Sequence, residues 1–341
     1  MSEIAQIDCG YLATIQAMAD DIWTDPVKNN DLIADVQSAL AVLENQSVNF
    51  REVTTGTKAR TMSLEWLTAC NITTQACSDD CTITGSDATP VCKEYELSCL
   101  RESTFKVPVR AYRSRTIERQ ESIAFLMLAH MKELDNYVAQ YILTCMLANA
   151  GINQFEDGVG DVSGDITYIA PAYWDDSIWG YFNRVIRGNK FRNAYMVTGD
   201  NLYQLLFNRR LEAANADGKG NFAKIGTINK IYIDPENVES IIPATTFLVH
   251  KTALAFLNKA WYPVGGENAE KLMADQFAYS AQSKNIPGVY YDVITQKTCV
   301  SNEYYDAFKI QLHGLCALNP QPCDDDVTGV LAFRCGTLQL N

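Results

Sequence analysis

Histidine, cysteine and clustered acids are the residues of this sequence with the most chemistry to offer. The histidines are three, His130, His250 and His313. A general base must lie within hydrogen-bond reach of the proton it takes, and triad members need not be close in sequence. By periodicity one histidine falls in a helix and two in strands, none beside a carboxylate or cysteine in a ligand pattern, so all three read as packing residues. Cysteine is the stronger candidate. Cys70, Cys77, Cys81, Cys92 and Cys99 crowd one stretch, and Cys316, Cys323 and Cys335 lie near the C-terminus, yet no CxxC occurs among the eleven. A zinc site would need closer ligand spacing. The odd count leaves at least one thiol unpaired in any monomeric scheme. Reduced thiols are the expectation, with late disulfides and a metal as the alternatives. Asp324-Asp325-Asp326 and Asp175-Asp176 offer oxygens to a hard cation but lack EF-hand spacing; they read as a solvated turn and a helix N-terminus. Gly218-Lys219-Gly220 lacks the rest of a P-loop. Trp174, Trp179, Tyr181 and Phe182 sit at helical spacing and read as core rather than as base-stacking residues. No catalytic residue, metal or cofactor is assigned.

What positions these residues is a chain of 341 residues, 47% apolar and 20% charged, with net charge -13. That composition supports a core and excludes wholesale disorder. No run reaches the ~18 apolar residues of a membrane span, and the first residues lack the apolar core of an export signal, so a soluble chain with no membrane partner is expected. The acidic balance argues against nucleic-acid binding as the main task, because neutralising phosphates needs a surplus of Lys and Arg. The charge is unevenly placed. Residues 1–50 hold eight acids and one base, Lys28, whereas residues 101–120 hold six bases and two acids. Arg184, Arg187, Lys190 and Arg192 form a second basic group. Such blocks are ordinarily solvated faces. The sharper reading sets Asp20, Asp21 and Asp25 of one copy against Arg110, Arg113, Arg115 and Arg119 of a neighbour, because opposite fields steer association and fix register.

The elements follow from periodicity. Leu32, Val36, Ala39, Leu40 and Leu43 predict an amphipathic helix over Asp31–Leu43 with a face that needs a partner. Arg51–Cys99 is rich in Thr, Ser, Asp and Gly and reads as an extended excursion, a long hairpin too long for a mere connector. Thr104–Tyr112 alternates and is a strand, placed at an edge by Pro108. From Ile123 to Met146 apolar residues step by three and four without a break, predicting a helix over about Glu121–Asn149 stopped by a left-handed Gly151. A mixed region follows: an aromatic helix Tyr173–Ile186, a strand Asn193–Val197, a helix capped by Asp200, strands Ile228–Ile233 and Thr246–His250, and a helix Thr252–Asn258. The last third is mostly strand. The class is α+β.

This order, together with NAYMVTGDNLYQLL (Asn193–Leu206), TTFLVHKTALAF (Thr245–Phe256) and GVYYDVI (Gly288–Ile294), resembles the major capsid proteins of tailed bacteriophages, the Hong Kong 97-like fold. The resemblance implies an N-terminal arm over 1–50 and an extended loop, the E-loop, over 51–103. It places a peripheral domain with the spine helix at 104–163, an axial domain at 164–285, and a strand-rich return at 286–341. It also implies a structural protein that self-assembles into hexamers and pentamers of an icosahedral virion shell. The implied contents are double-stranded DNA, held on the inner face without sequence specificity. Assembly in the host cytoplasm, a separate scaffolding protein and a portal come with it, and a decoration protein is left open. Lys58 is the loop lysine that a covalent cross-link would use, if this chain forms one. Three other readings compete: a bacterial nanocompartment shell of the same fold, a tail or neck component, and a cysteine-rich metal or redox enzyme using Cys77 and Cys81. The shell reading expects a subunit incomplete alone, with its first fifty residues reaching away from its own body.

Overall fold

The computed structural model describes residues 7–46, 50–51, 61–67, 90–110, 116–155, 159–191, 193–202, 205–206, 226–318 and 328–336. They form a mixed α+β chain in two compact units. One holds Met1–Leu40, Leu97–Tyr141 and Leu257–Leu315, the other Ala41–Glu96, Ile142–Phe256 and Cys316–Asn341. Each unit is thus stitched from three separate stretches of sequence.

In the first unit, Asp8 caps helix α1 (Cys9–Thr24) by accepting the Tyr11 N–H at 2.7 Å. Leu12, Ile15, Ala19 and Ile22 recur on its buried face. This helix seats against the turn Gly265–Asn268: Gly266 N–H donates to Gln16 Oε1 at 2.6 Å. A Cβ on Gly266 would meet the Leu12 carbonyl oxygen at 2.6 Å, so only glycine permits the approach. The N-terminal segment is therefore folded onto its own subunit, contrary to the expectation of a projecting arm.

The helix expected over Asp31–Leu43 starts late: a 3-10 turn at Asn30–Leu32 comes first, and α2 (Gln37–Asn45) holds the expected Ala39, Leu40 and Leu43. Asn285 supplies the reason. Its side chain donates to the Leu32 carbonyl at 3.2 Å, which a helix would pair with Val36 N–H, and accepts from Ala34 N–H at 3.1 Å, with Ile33 between them extended.

Antiparallel strands β1 (Phe50–Arg51), β2 (Thr61–Leu67) and β3 (Pro90–Glu96) make a three-stranded sheet in the second unit. Its register runs from Thr61↔Glu96 to Leu67↔Pro90, which is the predicted hairpin. β4 (Ser98–Pro108) follows after Leu97; it lies at the edge of another sheet as Pro108 implies, but begins before the expected Thr104 and ends at Pro108, short of Tyr112.

Helix α3 (Thr116–Ala148) has 33 residues, about 50 Å at 1.5 Å per residue. Its stop differs from the left-handed glycine expected. Asn149 instead returns its side-chain amide to the Cys145 carbonyl at 2.8 Å, and Gly151 N–H pairs with the Val330 carbonyl.

Beyond α3 lie β5 (Gly160–Ser163), β6 (Ile166–Ile169), α4 (Ile178–Gly188), β7 (Ala194–Thr198) and β8 (Ile228–Ile233). Asp200 begins a 3-10 turn, Asp200–Leu202. α5 (Pro235–Ile241), capped by Asp234, leads to β9 (Thr245–His250). The segment after β9 is not the predicted helix but a strand, β10 (Leu254–Asn258). Thr252 takes a positive φ of 76° and reverses the chain, and residues 253 to 257 are buried without alternation. A short run apolar on every side carries no period to separate helix from strand.

The remaining strands are β11 (Glu270–Met273), β12 (Gln276–Gln282), β13 (Tyr290–Val300), β14 (Glu303–Leu318) and β15 (Val330–Cys335). One six-stranded sheet runs β10-β14-β13-β12-β11, with β4 also on β14. The other runs β5-β6-β15-β9-β7-β8. β15 lies inside it, parallel to β6 and antiparallel to β9. The core there is Phe182, Val185 and Ile186 of α4 against Met196, Leu248 and Phe333.

Candidate assembly surface

Two kinds of feature compete to be a functional site: buried polar clusters that resemble catalytic ones, and the charged faces singled out from the sequence. The clusters decide whether chemistry is built in. Ser280, Asp292 and His313 lie on β12, β13 and β14. Asp292 Oδ1 accepts from Ser280 Oγ at 2.6 Å and from Trp261 N–H at 3.2 Å, and Oδ2 lies 3.0 Å from His313 Nδ1. The Trp261 ring stacks on the imidazole with centroids 3.7 Å apart. The residue types are those of a nucleophilic triad, but the order is not. The aspartate stands between serine and histidine, so the imidazole is not aimed at the hydroxyl, and all three side chains are buried. The cluster instead fastens Trp261 and Tyr262, whose N–H donates to Ser280 Oγ, to three neighbouring strands. His313 thus has the carboxylate partner that its sequence neighbours lacked.

His130 bridges β4 and α3. Its Nδ1 is 2.6 Å from Ser103 Oγ, and Phe105 stacks between it and Phe308. His250 meets the Phe191 ring edge. Burial lowers the pKa of both imidazoles and favours the neutral form.

A second cluster centres on Asp135 of α3, which is 1% exposed. Its Oδ1 accepts from Ser283 Oγ at 2.6 Å and Tyr291 OH at 2.5 Å; its Oδ2 accepts from Asn285 Nδ2 at 2.9 Å. Asn285 is the residue that holds Leu32 and Ala34, so Asp135 anchors the N-terminal segment to the long helix at one remove. Burial outweighs the three donors and pushes the carboxyl up to about 6.

The third cluster corrects a surface assignment. Arg119 is 4% exposed, with Nε 3.6 Å from Asp306 Oδ2, and it lies over the Tyr11 ring. Tyr11 OH donates to the same Asp306 oxygen at 3.0 Å, and burial followed by the aspartate charge raises its pKa. A guanidinium spent inside its own subunit cannot meet a neighbour.

Of the other contact candidates, Arg110 is exposed at the end of β4, while Arg113 and Arg115 lie outside the described residues, as does Lys58. Asp20 pairs with Lys284. Asp25 accepts from Val27 N–H at 2.9 Å and shapes the turn after α1, and Asp21 is exposed. The acidic segment finds further partners nearby: Lys28 bonds Glu121 at 2.9 Å, and Glu44 pairs with Lys230. Exposed pairs of this kind are each worth at most about 1 kcal/mol. The second basic group keeps Arg184, Arg187 and Lys190 exposed on and after α4; Arg192 lies outside the described residues.

The aromatic residues fall as predicted, with Trp179, Tyr181 and Phe182 in the core and Trp174 packed against it. Asp175 accepts from Ser177 N–H and Oγ just before α4, and those bonds hold its carboxyl below the usual range. Among the described residues, no three His, Cys, Asp or Glu side chains converge as metal ligands, and no helix is long and apolar enough to cross a membrane. Among the described residues, the thiols depart from expectation in one place. Cys145 and Cys316 are joined as a disulfide with Cα atoms 6.4 Å apart, whereas Cys9, Cys299 and Cys335 remain thiols.

No family model matches the sequence, and no curated protein matches it. Solved chains similar in shape include phage capsids. The capsid of Cyanophage P-SCSP1u is 9% identical with a TM-score of 0.45, covering 83% of this chain and 85% of that one. A chain from Mycobacterium phage Adephagia is 14% identical with a TM-score of 0.43, covering 90% and 91%. The mature capsid of bacteriophage PhiM1 is 9% identical with a TM-score of 0.45, covering 82% and 83%.

Proposed function

We propose that the chain is a structural, shell-forming subunit, the major capsid protein of a tailed phage, and not an enzyme. The observation that carries this reading is the order of its elements. An acidic N-terminal segment leads into a hairpin sheet, a return strand, a 33-residue helix, a mixed six-stranded unit and a strand-rich return. That is the order the sequence resemblance implies for a Hong Kong 97-like subunit. The buried clusters favour the same conclusion, because their hydrogen bonds are spent on fastening strands and helices.

Since α1 is folded onto its own subunit, the incompleteness of the single copy now rests on the hairpin. Among the described strands, β1, β2 and β3 pair only with one another. A small ribbon of this kind is marginal in water without cover. Neighbouring copies supply that cover when hexamers and pentamers close around symmetry axes. In this reading the packaged double-stranded DNA meets the inner face without sequence recognition. A scaffolding protein and a portal are the further partners, and assembly takes place in the host cytoplasm.

The test is to express the full chain alone and with its genomic neighbours, then examine it by sedimentation and negative-stain microscopy. Closed particles of MDa mass are expected. Persistence as a monomer at high concentration under both conditions would overturn the reading, and rings or tubes would replace it with a tail or neck component.

A further inference from the structure

The second unit is assembled from three stretches of chain, and the disulfide joins two of them where they enter. Ile142–Phe256 brings Cys145 near its start, and Cys316 is the first residue of the last stretch. That last stretch carries β15, which fills the gap between β6 and β9 in the middle of the sheet. Just past the end of α3, Gly151 N–H pairs with the Val330 carbonyl at 2.8 Å, so the chain around that end holds the last stretch at two points. One grip is covalent. The bridge spans 171 residues of sequence, and a cross-link over a long loop removes much of the freedom the open chain would regain.

We propose that Cys145 and Cys316 form a redox latch on β15, open as dithiol while the chain folds and closed as disulfide afterwards. The timing rests on the shell reading, in which the subunit folds inside a reducing cell and the particle later leaves it. Closure is thiol–disulfide exchange with a small-molecule disulfide such as oxidised glutathione. One protein thiolate attacks it, releasing one small thiol and leaving a mixed disulfide. The second thiolate displaces the other small thiol. Two protein thiols are oxidised and one small disulfide is reduced to two thiols. Cys335, at the far end of β15, does not compete well, because burial raises the pKa of its thiol and thins the reactive thiolate.

The test uses the full chain. Cells are lysed into an alkylating agent and the cysteines are read by peptide mass spectrometry. Unblocked protein is then exposed to oxidised glutathione and compared with its reduced form by amide hydrogen exchange. Cys145 and Cys316 should be alkylated at lysis and found joined after oxidation. Exchange in β15 and its neighbours β6 and β9 should slow by roughly tenfold or more, with little change in β12 and β13. A Cys145→Ser/Cys316→Ser variant should show no redox dependence there; if it does not fold, the two redox states of the natural chain still decide. The proposal is overturned if the pair is already joined inside the reducing cell. It is equally overturned if both thiols stay alkylatable after oxidation, or if joining leaves β15 exchange unchanged. Sedimentation separates this from the shell reading: a latched chain that never forms particles refutes the shell alone.

Discussion

Asp135 offers the clearest quantitative handle on how the N-terminal segment is held. Its carboxyl is pushed up to about 6 by burial, against an unfolded value of 3.8. For an acid whose folded pKa is raised, the stabilising contribution is complete below the unfolded pKa and is lost as pH rises through the folded one. The gap between the two values corresponds to about 3 kcal/mol, of which about half falls between pH 5 and pH 8. Asp135→Asn removes the titration and keeps one acceptor oxygen for Ser283 and Tyr291. The other position becomes an N–H₂ facing the Asn285 amide donor. Asn285 cannot flip to relieve this without breaking its bonds to Leu32 and Ala34. The variant should therefore be destabilised throughout, and its deficit relative to wild type should be roughly 1–2 kcal/mol smaller at pH 8 than at pH 5. Parallel urea titrations of both proteins across that range measure the difference. A deficit that is constant with pH, or that grows toward pH 8, would show that Asp135 is an ordinary stabilising carboxylate and would refute the reasoning.

Two further outcomes follow from the packing of the first unit. Gly266→Val forces a side chain against the Leu12 carbonyl, so α1 should lift from its seat and limited proteolysis should cut within residues 7–30 while β12–β14 stay intact. Arg119→Met leaves the Asp306 carboxylate buried with Tyr11 as its donor and should cost about 3–5 kcal/mol; Arg119→Met with Asp306→Leu should recover much of it by urea unfolding.

Much of this architecture was legible in the sequence because its elements carry a strong period. The step of three and four from Ile123 to Met146 marks α3, and the alternation at Phe308, Ile310 and Leu312 marks β14. The missing pieces fail for identifiable reasons. α1 left a signal, Asp8 followed by Leu12, Ile15, Ala19 and Ile22, but the density of acids around it makes charge the louder feature of that stretch. The break at Ile33–Asp35 is imposed by Asn285, some 250 residues away, and no local window contains it. β10 is buried from Leu254 to Leu257 and so has no period. The same distance problem hid the clusters: Ser280 and Asp292 are neighbours only through strand pairing, and Cys145 meets Cys316 only because α3 and β14 end together. Arg119 shows the converse error. A basic run in sequence reads as one face, yet rotation along a helix turned this member inward.

The unequal charge itself admits two accounts, and the structure sharpens the choice between them. An acidic segment beside a basic one attracts whether the partner lies in the same chain or the next. Asp20 with Lys284 and Glu44 with Lys230 show that part of the attraction is spent within one subunit. Left for a neighbour on the acidic side are exposed Asp21 and half-buried Asp25, and on the basic side exposed Arg110, with Arg113 and Arg115 of the same run outside the described residues. Arg110→Glu/Arg113→Glu/Arg115→Glu should abolish particle formation with the subunit still folded, as should Asp21→Lys/Asp25→Lys. Combining both sets restores opposite signs across the contact and should restore particles, since only residues that face one another couple in this way. Asp20→Ala serves as the internal control, because it removes a pair within the subunit worth at most about 1 kcal/mol. Particle yield is read by sedimentation and subunit integrity by circular dichroism. If the basic reversal assembles normally, or the combined variant fails although both single sets fold, these faces do not meet across the shell and the charge blocks are merely solvated.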